Sequence, residues 1–336
     1  MGGDHAPVDI INGALLAAPL LHTTLYLVGD QDVIKAHLPL HVPPNIQICH
    51  ASQCVGMEEK PLDAYRKKKD SSLMVAAHLV KDGHAKALVS AGNTGAATAT
   101  ALLAWRQLPG IHRPAIASTM PNNHGGFVLL DAGASPDVDP EHLVEFAIMG
   151  RAYAQKLMGR PDPKVHLLNI GEEPGKGNAF AKQAYVLLSK FSWFAGNIEG
   201  KDMFSHAVDV VVCDAFVGNI VLKTAEGVAE FIVNTIRERV PNNPLLKSVF
   251  LPVRYVMDPL RKHLDYAETG GSPLLGLNGL CIICHGRSNA KAIKNALVGT
   301  QAAIENQLVE TIKESVQTQL GGLDTAIKSQ TAGEKP

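Results

Sequence analysis

The chain alternates short runs of apolar residues with longer segments in which apolar positions recur every three or four residues. The apolar runs predict β-strands over residues 24–29, 86–91, 127–132, 165–170, 208–214 and 280–285. The longer segments predict amphipathic helices over residues 94–105, 140–157, 178–190, 219–237 and 289–316. Asp139 followed by Pro140 has the form of an N-cap with proline at the first helical position.

The order of these elements predicts the fold class. Several of the strands are continuous runs of valine, leucine and isoleucine, which is typical of strands that are buried on both faces of a parallel sheet. Because strands and helices alternate, helices are expected to cover both faces of that sheet. We therefore expect a three-layer α/β/α fold with a mostly parallel sheet, formed as a single domain by residues 1–320. The polar tail over residues 321–336 is expected to be disordered.

Residues 237–266 depart from this alternation and predict a protruding amphipathic helical arm. Four prolines occur here, and residues 237–263 contain six Lys/Arg against two acids. A basic amphipathic element can lie on an anionic bilayer. It can equally pack at a subunit interface, and the two interpretations are compatible. The residues expected to contact the membrane are Val253, Val256, Met257 and Leu260.

Composition and charge exclude several classes of protein. The 336 residues carry a formal net charge of -1, which argues against a general nucleic-acid binder, because such proteins are basic. The five cysteines are odd in number and dispersed, which is typical of a reducing compartment. The sequence shows neither the basic start of a signal peptide nor an apolar run of about 20 residues. We therefore expect a cytoplasmic protein without a transmembrane span.

Glycine and asparagine come together at four predicted strand-to-helix junctions. The asparagines are Asn93, Asn178, Asn219 and Asn289. Such junctions lie at the carboxyl ends of parallel strands, where ligands bind, and the start of a helix attracts anions. One junction of this kind is ordinary helix capping. Four of them, with Lys176 and Arg287 among their residues, favour a shared phosphate or carboxylate site.

Other familiar motifs are absent or have a simpler explanation. The segment 171–177 lacks the spacing of a P-loop, and the chain has no GxGxxG, GxSxG or HExxH motif. Cys281-Ile-Ile-Cys284-His285 matches a haem-attachment string, but it lies in a predicted buried strand, which favours core cysteines. The basic run Arg66-Lys67-Lys68-Lys69 is either a solvated helix face or a surface that steers an acidic partner.

Nine strings, in order along the chain, resemble the bacterial phosphate acyltransferases of phospholipid synthesis. The resemblance runs from Met1 to about residue 296. The strings are MGGDHAP (1–7), KKDSS (68–72), SAGNTG (90–95), LDAG (130–133), NIGEE with GKG (169–177), GNIEG (196–200), DAFVGN (214–219), GG with PLLG (270–276) and CHGRSN (284–289).

The resemblance implies a reaction, partners and a fold. It implies transfer of a fatty acyl group from acyl carrier protein to inorganic phosphate, which gives an acyl phosphate for a membrane glycerol-3-phosphate acyltransferase. It implies a cytoplasmic homodimer that is peripherally attached to the membrane and uses no cofactor, metal or nucleotide. The implied fold is related to phosphotransacetylase and to the isocitrate and isopropylmalate dehydrogenases.

The candidate site residues follow from this chemistry. Phosphate is itself the nucleophile, so the reaction needs no serine or cysteine nucleophile, whereas the negative charge that develops on the carbonyl oxygen needs donors and a cation. Lys176 and Asn219 match the lysine and asparagine that we regard as catalytic in the family. His5 is either a proton relay or an N-terminal structural residue. The run Arg66–Lys69 becomes a docking candidate for acyl carrier protein, which is acidic. The phosphate-binding candidates are Asn93, Thr94, Gly95, Ser288 and Asn289.

The chain also departs from the family pattern, and other functions remain open. The resemblance implies a strand ahead of Gly2-Gly3-Asp4-His5, and the loss of such a strand would expose a sheet edge or a cavity. Ala215 replaces a common glycine, which predicts strain if φ is positive there, and Thr269 replaces a common tyrosine. The alternative functions are a phosphotransacetylase that uses acyl-coenzyme A and a non-catalytic scaffold for lipid synthesis at the membrane surface. A decarboxylating dehydrogenase would need a cluster of aspartates, which the sequence does not show.

Overall fold

A computed structural model of the chain describes residues 1–239, 268 and 270–332. Numbered within this part of the chain, the helices are α1 (Val8–Ala17), α2 (Gln31–His37), α3 (Pro61–Lys67), α4 (Ser72–Lys81), α5 (Thr94–Trp105), α6 (Pro140–Leu157), α7 (Ala179–Leu188), α8 (Ala215–Arg239), α9 (Ala290–Glu305) and α10 (Leu308–Ala332). The strands are β1 (Leu25–Gly29), β2 (Ile46–His50), β3 (Ala87–Ser90), β4 (Ala115–Ile116), β5 (Ser118–Met120), β6 (Phe127–Leu130), β7 (Val165–Asn169), β8 (Phe194–Glu199), β9 (Val210–Val212), β10 (Ser272–Leu275) and β11 (Leu280–Ile283).

The strands form three sheets rather than one. Their orders are β1-β2, β3-β11-β10-β4 and β5-β6-β9-β7-β8. The pairings β1-β2, β3-β11, β6-β9, β9-β7 and β7-β8 are parallel, whereas β5, β10 and β4 pair antiparallel with their neighbours. The two larger sheets meet between β4 and β5, where the Ala117 N–H donates to the Pro273 carbonyl at 2.9 Å. The α/β class and the mostly parallel pairing are confirmed, and the division into three sheets corrects the prediction of one.

Every predicted strand and helix is present, with three corrections to the helices. Helix α8 begins at Ala215 rather than at Asn219, and Ala215 does not adopt a positive φ. The helix predicted over 289–316 is two helices, because Gln307 between them has a φ of 52°. Helix α10 continues to Ala332, so the chain after Leu320 is helical to that point rather than disordered.

Helix α6 is the centre of the largest hydrophobic core. Its residues 142–150 are all buried, as is typical of a helix that is surrounded on every side. It packs against α7 and α10 on one side and against β6 and β9 on the other. A Cβ at Gly150 would lie 2.6 Å from the Val210 Cγ1 atom, so glycine permits the close approach of α6 to β9. This packing fixes the sheet whose carboxyl ends carry the candidate site.

A cavity of about 450 Å³ lies between β1 and β3. Among the described strands, β1 pairs only with β2, and β3 pairs only with β11, so each has an unpaired edge. Tyr26 and Val28 of β1 line the cavity together with Leu88 and Ser90 of β3. The Met1 ammonium group donates to the Val28 carbonyl at 3.3 Å.

The predicted membrane arm cannot be placed within the described fold. Residues 237–239 end helix α8, and the rest of the arm, with Val253, Val256, Met257 and Leu260, lies outside the described residues, as does Thr269. Of the helices within residues 1–239 and 270–332, none combines the length and the apolar character that crossing a bilayer requires.

Helix α8 is anchored by a glycine at its first turn. A Cβ at Gly218 would lie 1.9 Å from the Asp131 carbonyl oxygen, at the end of β6. Only glycine therefore allows α8 to lie this close to the strand. Gly227 lies nine residues further along the same helix, and a Cβ there would have no neighbour within 4 Å.

These two glycines give a matched test of the fold. We expect Gly218→Ala to lower the free energy of unfolding by about 1–3 kcal/mol, since the added carbon has no space beside backbone. Gly227→Ala should raise it by up to about 1 kcal/mol, because alanine is the better helix former. Urea unfolding followed by circular dichroism measures both changes. Equal effects of the two substitutions would contradict the close approach of α8 to Asp131.

Candidate functional site

At three of the four glycine–asparagine junctions, the asparagine side chain caps the helix that follows. Asn93, Asn178 and Asn289 each accept a hydrogen bond from the backbone N–H three residues further on, at 2.9, 2.9 and 3.0 Å. Each side chain thereby satisfies one of the N–H groups that a helix leaves unpaired at its start. The capping interpretation is correct for these three positions.

The fourth junction is different, and the sequence placed Asn219 incorrectly. Asp214 takes the capping role for α8, because its carboxylate accepts a hydrogen bond from the Val217 N–H at 3.0 Å. Asn219 consequently lies in the second turn of the helix rather than at its N-terminus. Its exposed side chain lies beside Gly133, where an added Cβ would be 3.7 Å from the Asn219 Oδ1 atom. The asparagine predicted to be catalytic is thus the one that is not used as a cap.

The Asp131 side chain stabilises the turn beside which Asn219 lies. Its fully buried carboxylate accepts hydrogen bonds from the backbone N–H groups of Ile116, Gly133, Ala134 and Ser135 at 2.7–3.0 Å. Burial raises the pKa of Asp131, and the four N–H donors oppose that rise by stabilising the carboxylate. The Asp131 side chain therefore fixes the 131–135 turn by direct hydrogen bonds. Asp131 was not predicted as a site residue, although it lies in the LDAG string.

A cavity of about 790 Å³ opens next to this turn, beside α8. One part of its lining is polar and includes Thr94, Asn219 and His285. The rest is largely apolar and includes Met120, Met203, Phe204, Leu222, Val228 and Ile232. The volume lies within the range of small-molecule sites, roughly 300–1,000 Å³. The arrangement suits a ligand with a polar end and a long apolar part.

Only part of the predicted site lines this cavity. Thr94 and Asn219 do, whereas the described candidates Asn93, Gly95, Ser288 and Asn289 do not. The Asn93 amide donates to the carbonyls of residues 56, 57 and 59 at 2.7–3.4 Å and so holds a neighbouring loop. The buried Ser288 hydroxyl has no hydrogen-bond partner among the described residues. These residues remain predicted phosphate ligands.

Lys176 lies outside the cavity lining, on a braced loop after β7. Its ammonium group is 3.9 Å from the Glu173 carboxylate, and the side chain is 51% exposed. The Asn169 amide donates to the Lys176 carbonyl at 3.2 Å and to the Asn197 side-chain oxygen at 3.1 Å, and the Asn197 amide donates to the Glu173 carbonyl at 2.9 Å. Two asparagines therefore hold the loop, while the lysine side chain projects into solvent.

The remaining predicted residues lie at the surface. His5 is exposed, and its carbonyl accepts a hydrogen bond from the Asp9 N–H at 3.1 Å at the start of α1. In the basic run, Lys68 donates to the Cys54 carbonyl at 2.7 Å and pairs with Glu59, so it supports a loop. Arg66, Lys67 and Lys69 are exposed.

Two neighbours in the CHGRSN string, Cys284 and His285, line the cavity and were not predicted as site residues. Burial raises the pKa of Cys284 to about 12, so this thiol remains protonated near neutral pH. Cys281 is also buried with its pKa raised to about 12, which confirms both as core cysteines. The signal that could have identified His285 was its position at the carboxyl end of the strand predicted over residues 280–285.

One cluster of described residues has metal-ligand character and lies elsewhere. The ligand atoms of His112, His142 and Glu145 lie within 4.8 Å of one another. However, the His142 Nδ1 atom accepts a hydrogen bond from the Asp139 N–H at 2.8 Å, which places the ring proton on Nε2. To bind a metal ion through Nε2, a neutral His142 would have to move its proton to Nδ1. The hydrogen bond from the Asp139 N–H would then be lost. The Glu145 carboxylate instead accepts from the His112 N–H at 2.8 Å and holds the loop against α6.

Comparison with known proteins decides the family. Residues 1–311 match the family described as "Fatty acid synthesis protein". The chain belongs to this family. Its relatives include the phosphate acyltransferases of Desulfitobacterium hafniense, 47% identical over 94% of this chain and 96% of that protein, and of Geobacter sulfurreducens, 44% identical over 95% and 93%. This confirms the resemblance drawn from the nine strings and supports an acyltransferase.

Solved structures agree on the fold. A phosphotransacetylase from Streptococcus pyogenes is similar over 90% of this chain and 100% of its own, with a TM-score of 0.53 and 18% identity. A branched-chain phosphotransacylase from Enterococcus faecalis is similar over 90% and 97%, with a TM-score of 0.51 and 15% identity. The predicted relationship to the phosphotransacetylase fold is therefore confirmed.

Proposed function

We propose that this protein transfers a fatty acyl group from acyl carrier protein to inorganic phosphate. The observation that carries the proposal is the cavity beside α8, whose lining includes Asn219 and is largely apolar. An oxygen of hydrogen phosphate attacks the thioester carbonyl carbon, and the carbon–sulfur bond breaks. The carrier thiol leaves with the proton that hydrogen phosphate brought, and acyl phosphate is the other product.

The apolar wall suits a long acyl chain. Each methylene group that leaves water contributes roughly 0.8 kcal/mol, so a cavity of this size can hold a fatty acyl group by burial alone. The polar part then receives the reacting carbonyl. An amide N–H of Asn219 can donate to the carbonyl oxygen as negative charge develops there.

The chemistry of the lining supports phosphate as the direct nucleophile. Cys284 is the thiol that lines the cavity, and its raised pKa makes it a poor nucleophile, because the thiolate is the reactive form. An acyl-cysteine intermediate at this position is therefore disfavoured. Lys176 on its braced loop is proposed to supply the cation, which requires its exposed side chain to reach the bound phosphate.

The reaction is tested by phosphate-dependent release of free acyl carrier protein from palmitoyl-acyl carrier protein, with acyl phosphate trapped by hydroxylamine. We expect Lys176→Ala and Asn219→Ala each to lower kcat by about 10²-fold or more, as for the loss of oxyanion donors. The exposed Lys182→Ala and Asn234→Ala are matched controls and should keep wild-type rates. Full activity in Lys176→Ala and Asn219→Ala would contradict the roles proposed for these two residues. Absence of acyl phosphate with the wild-type protein would favour the non-catalytic scaffold, and faster turnover of palmitoyl-coenzyme A would favour the coenzyme A-dependent alternative.

We propose that acyl carrier protein docks on the exposed basic residues at the C-terminal end of α3, which are Arg66, Lys67 and Lys69. Arg66 and Lys67 are exposed, and the Lys67 ammonium group lies 3.4 Å from the Asp63 carboxylate on the same helix. Lys69 lies over the Tyr65 ring at 4.4 Å and still presents its charge to solvent. Lys68 is excluded from this role because it supports the neighbouring loop.

Charge reversal tests the docking surface. We expect Arg66→Glu with Lys67→Glu to raise KM for palmitoyl-acyl carrier protein about tenfold at low salt while kcat changes little, since steering depends on surface charge. The control is Lys35→Glu with Lys190→Glu, which changes the net charge equally at exposed positions elsewhere on the surface. The same increase in KM from the control pair would show that net charge, and not this surface, governs binding.

We also propose the homodimer and the peripheral membrane contact, which would deliver the product to a membrane glycerol-3-phosphate acyltransferase. The support is the apolar side of α8, where Phe216 and Phe231 are 67% and 70% exposed and Val228 is 52% exposed. Exposed apolar area of this kind is typical of an interaction surface. The helix also leads directly into the arm that the sequence predicts to contact the membrane.

The membrane contact is tested with anionic liposomes. We expect Val253→Asp with Val256→Asp to abolish co-sedimentation with the liposomes, because a charge resists burial among lipid chains. Leu40→Asp and Val186→Asp, at exposed positions on other parts of the surface, should leave co-sedimentation unchanged. Unchanged liposome binding by the arm variant would contradict the proposal.

A further inference from the structure

His285 is held in one tautomer at the polar part of the cavity. Its Nδ1 atom receives a hydrogen bond from the backbone N–H of Arg287 at 3.1 Å. A backbone N–H can only donate, so Nδ1 carries the lone pair and the proton of the neutral ring lies on Nε2. The ring lines the same cavity as Asn219 and Thr94.

The surroundings of the ring favour its neutral form. Burial lowers the pKa of His285, and the nearby charges of Lys223 and Arg287 lower it further. Glu226 and Asp4 act in the opposite direction, and the Glu226 carboxylate is paired with the Lys223 ammonium group at 2.8 Å. These groups come from α8, the loop after β11 and the N-terminal loop, so the ring is surrounded by charge from three elements.

We propose that His285 is a catalytic residue that donates its Nε2–H to the acyl carbonyl oxygen as that oxygen becomes negative. This deepens the proposed acyl transfer and rests on it. A neutral imidazole is suited to the role because it offers a hydrogen bond without first taking a proton from hydrogen phosphate. Asn219 and His285 both line this cavity, so we assign both as hydrogen-bond donors to the developing oxyanion.

The geometry makes a distinctive prediction for two amide substitutions. The amide nitrogen of glutamine lies about as far from the backbone as the histidine Nε2 atom, whereas that of asparagine corresponds to Nδ1. We expect His285→Ala and His285→Asn to lower kcat by about 10²–10³-fold, with KM for phosphate changed less than threefold. His285→Gln should recover kcat to within about tenfold of the wild-type value. His78→Ala, at an exposed histidine of α4, is the control and should be unchanged.

The pH profile provides a readout that a structural role would not change. Protonation of Nδ1 would break the bond from the Arg287 N–H, so the active form is the neutral ring. Wild-type kcat should therefore fall as the pH drops below the ordinary histidine value of 6.5, and His285→Gln should lack this acid limb. Thermal unfolding of each variant confirms that it is folded.

Each outcome of this experiment bears on the proposal. Recovery by glutamine alone, with loss of the acid limb, supports the Nε2–H donor. Equal loss in the glutamine and alanine variants, or a rise in KM for phosphate at unchanged kcat, overturns it, and the second result makes His285 a phosphate ligand instead. If the wild-type protein forms no acyl phosphate, the proposed function fails, and the variants are then compared for binding of palmitoyl-acyl carrier protein. If the alanine and asparagine variants then bind palmitoyl-acyl carrier protein more weakly and the glutamine variant does not, His285 still donates a hydrogen bond to the acyl carbonyl.

Discussion

The contact between Gly218 and the Asp131 carbonyl determines where α8 lies, and the candidate site depends on that position. Asp131 follows β6 directly, and its side chain ties the backbone of residues 131–135 into one turn through buried hydrogen bonds. Because Gly218 has no side chain, the first turn of α8 lies directly on this turn. Asn219, the next residue, is thereby placed beside Gly133 at the wall of the cavity.

The cavity itself is formed mainly by packing rather than by polar groups. Helix α8 contributes Leu222, Val228 and Ile232 to its wall, and the loops at the strand ends contribute the polar part. An acyl chain that covers this wall would exclude water from it, so hydrogen bonds at the polar part would act in a lower dielectric, where they are electrostatically stronger than in water. A small number of donors can therefore stabilise a developing negative charge, provided that they are fixed before the reaction.

Much of the fold was predictable because the buried strands are continuous apolar runs. The sequence did not predict helices α1–α4 or strands β2, β4, β5, β8 and β10. Three of the missed strands carry weak signals: β4 and β5 are two and three residues long, and β8 contains Gly196 and Asn197 within its apolar pattern. At Gly196 φ is 97°, and the pairing of β8 with β7 shifts its register near this point. Local irregularities of this kind leave no period in the sequence.

The site was predictable in its residue types but not in its geometry. Four asparagines beside glycines looked equivalent, yet three are helix caps, and only the presence of Asp214 five residues earlier distinguishes Asn219. The tautomer of His285 could not be predicted either, since it depends on the loop that brings the Arg287 N–H to Nδ1. Lys176 was predicted as the cation of the site from its place between two glycines, but its position outside the cavity lining was not foreseeable.

The most direct test of the central claim is the fate of the phosphate oxygens. Palmitoyl-acyl carrier protein is incubated with the wild-type protein and inorganic phosphate labelled with ¹⁸O at all four oxygens, and the product is analysed by mass spectrometry. If phosphate is the nucleophile, the acyl phosphate carries all four labelled oxygens. Release of unlabelled palmitate at a rate independent of phosphate, with no labelled acyl phosphate, would show that water attacks the thioester and would contradict the account.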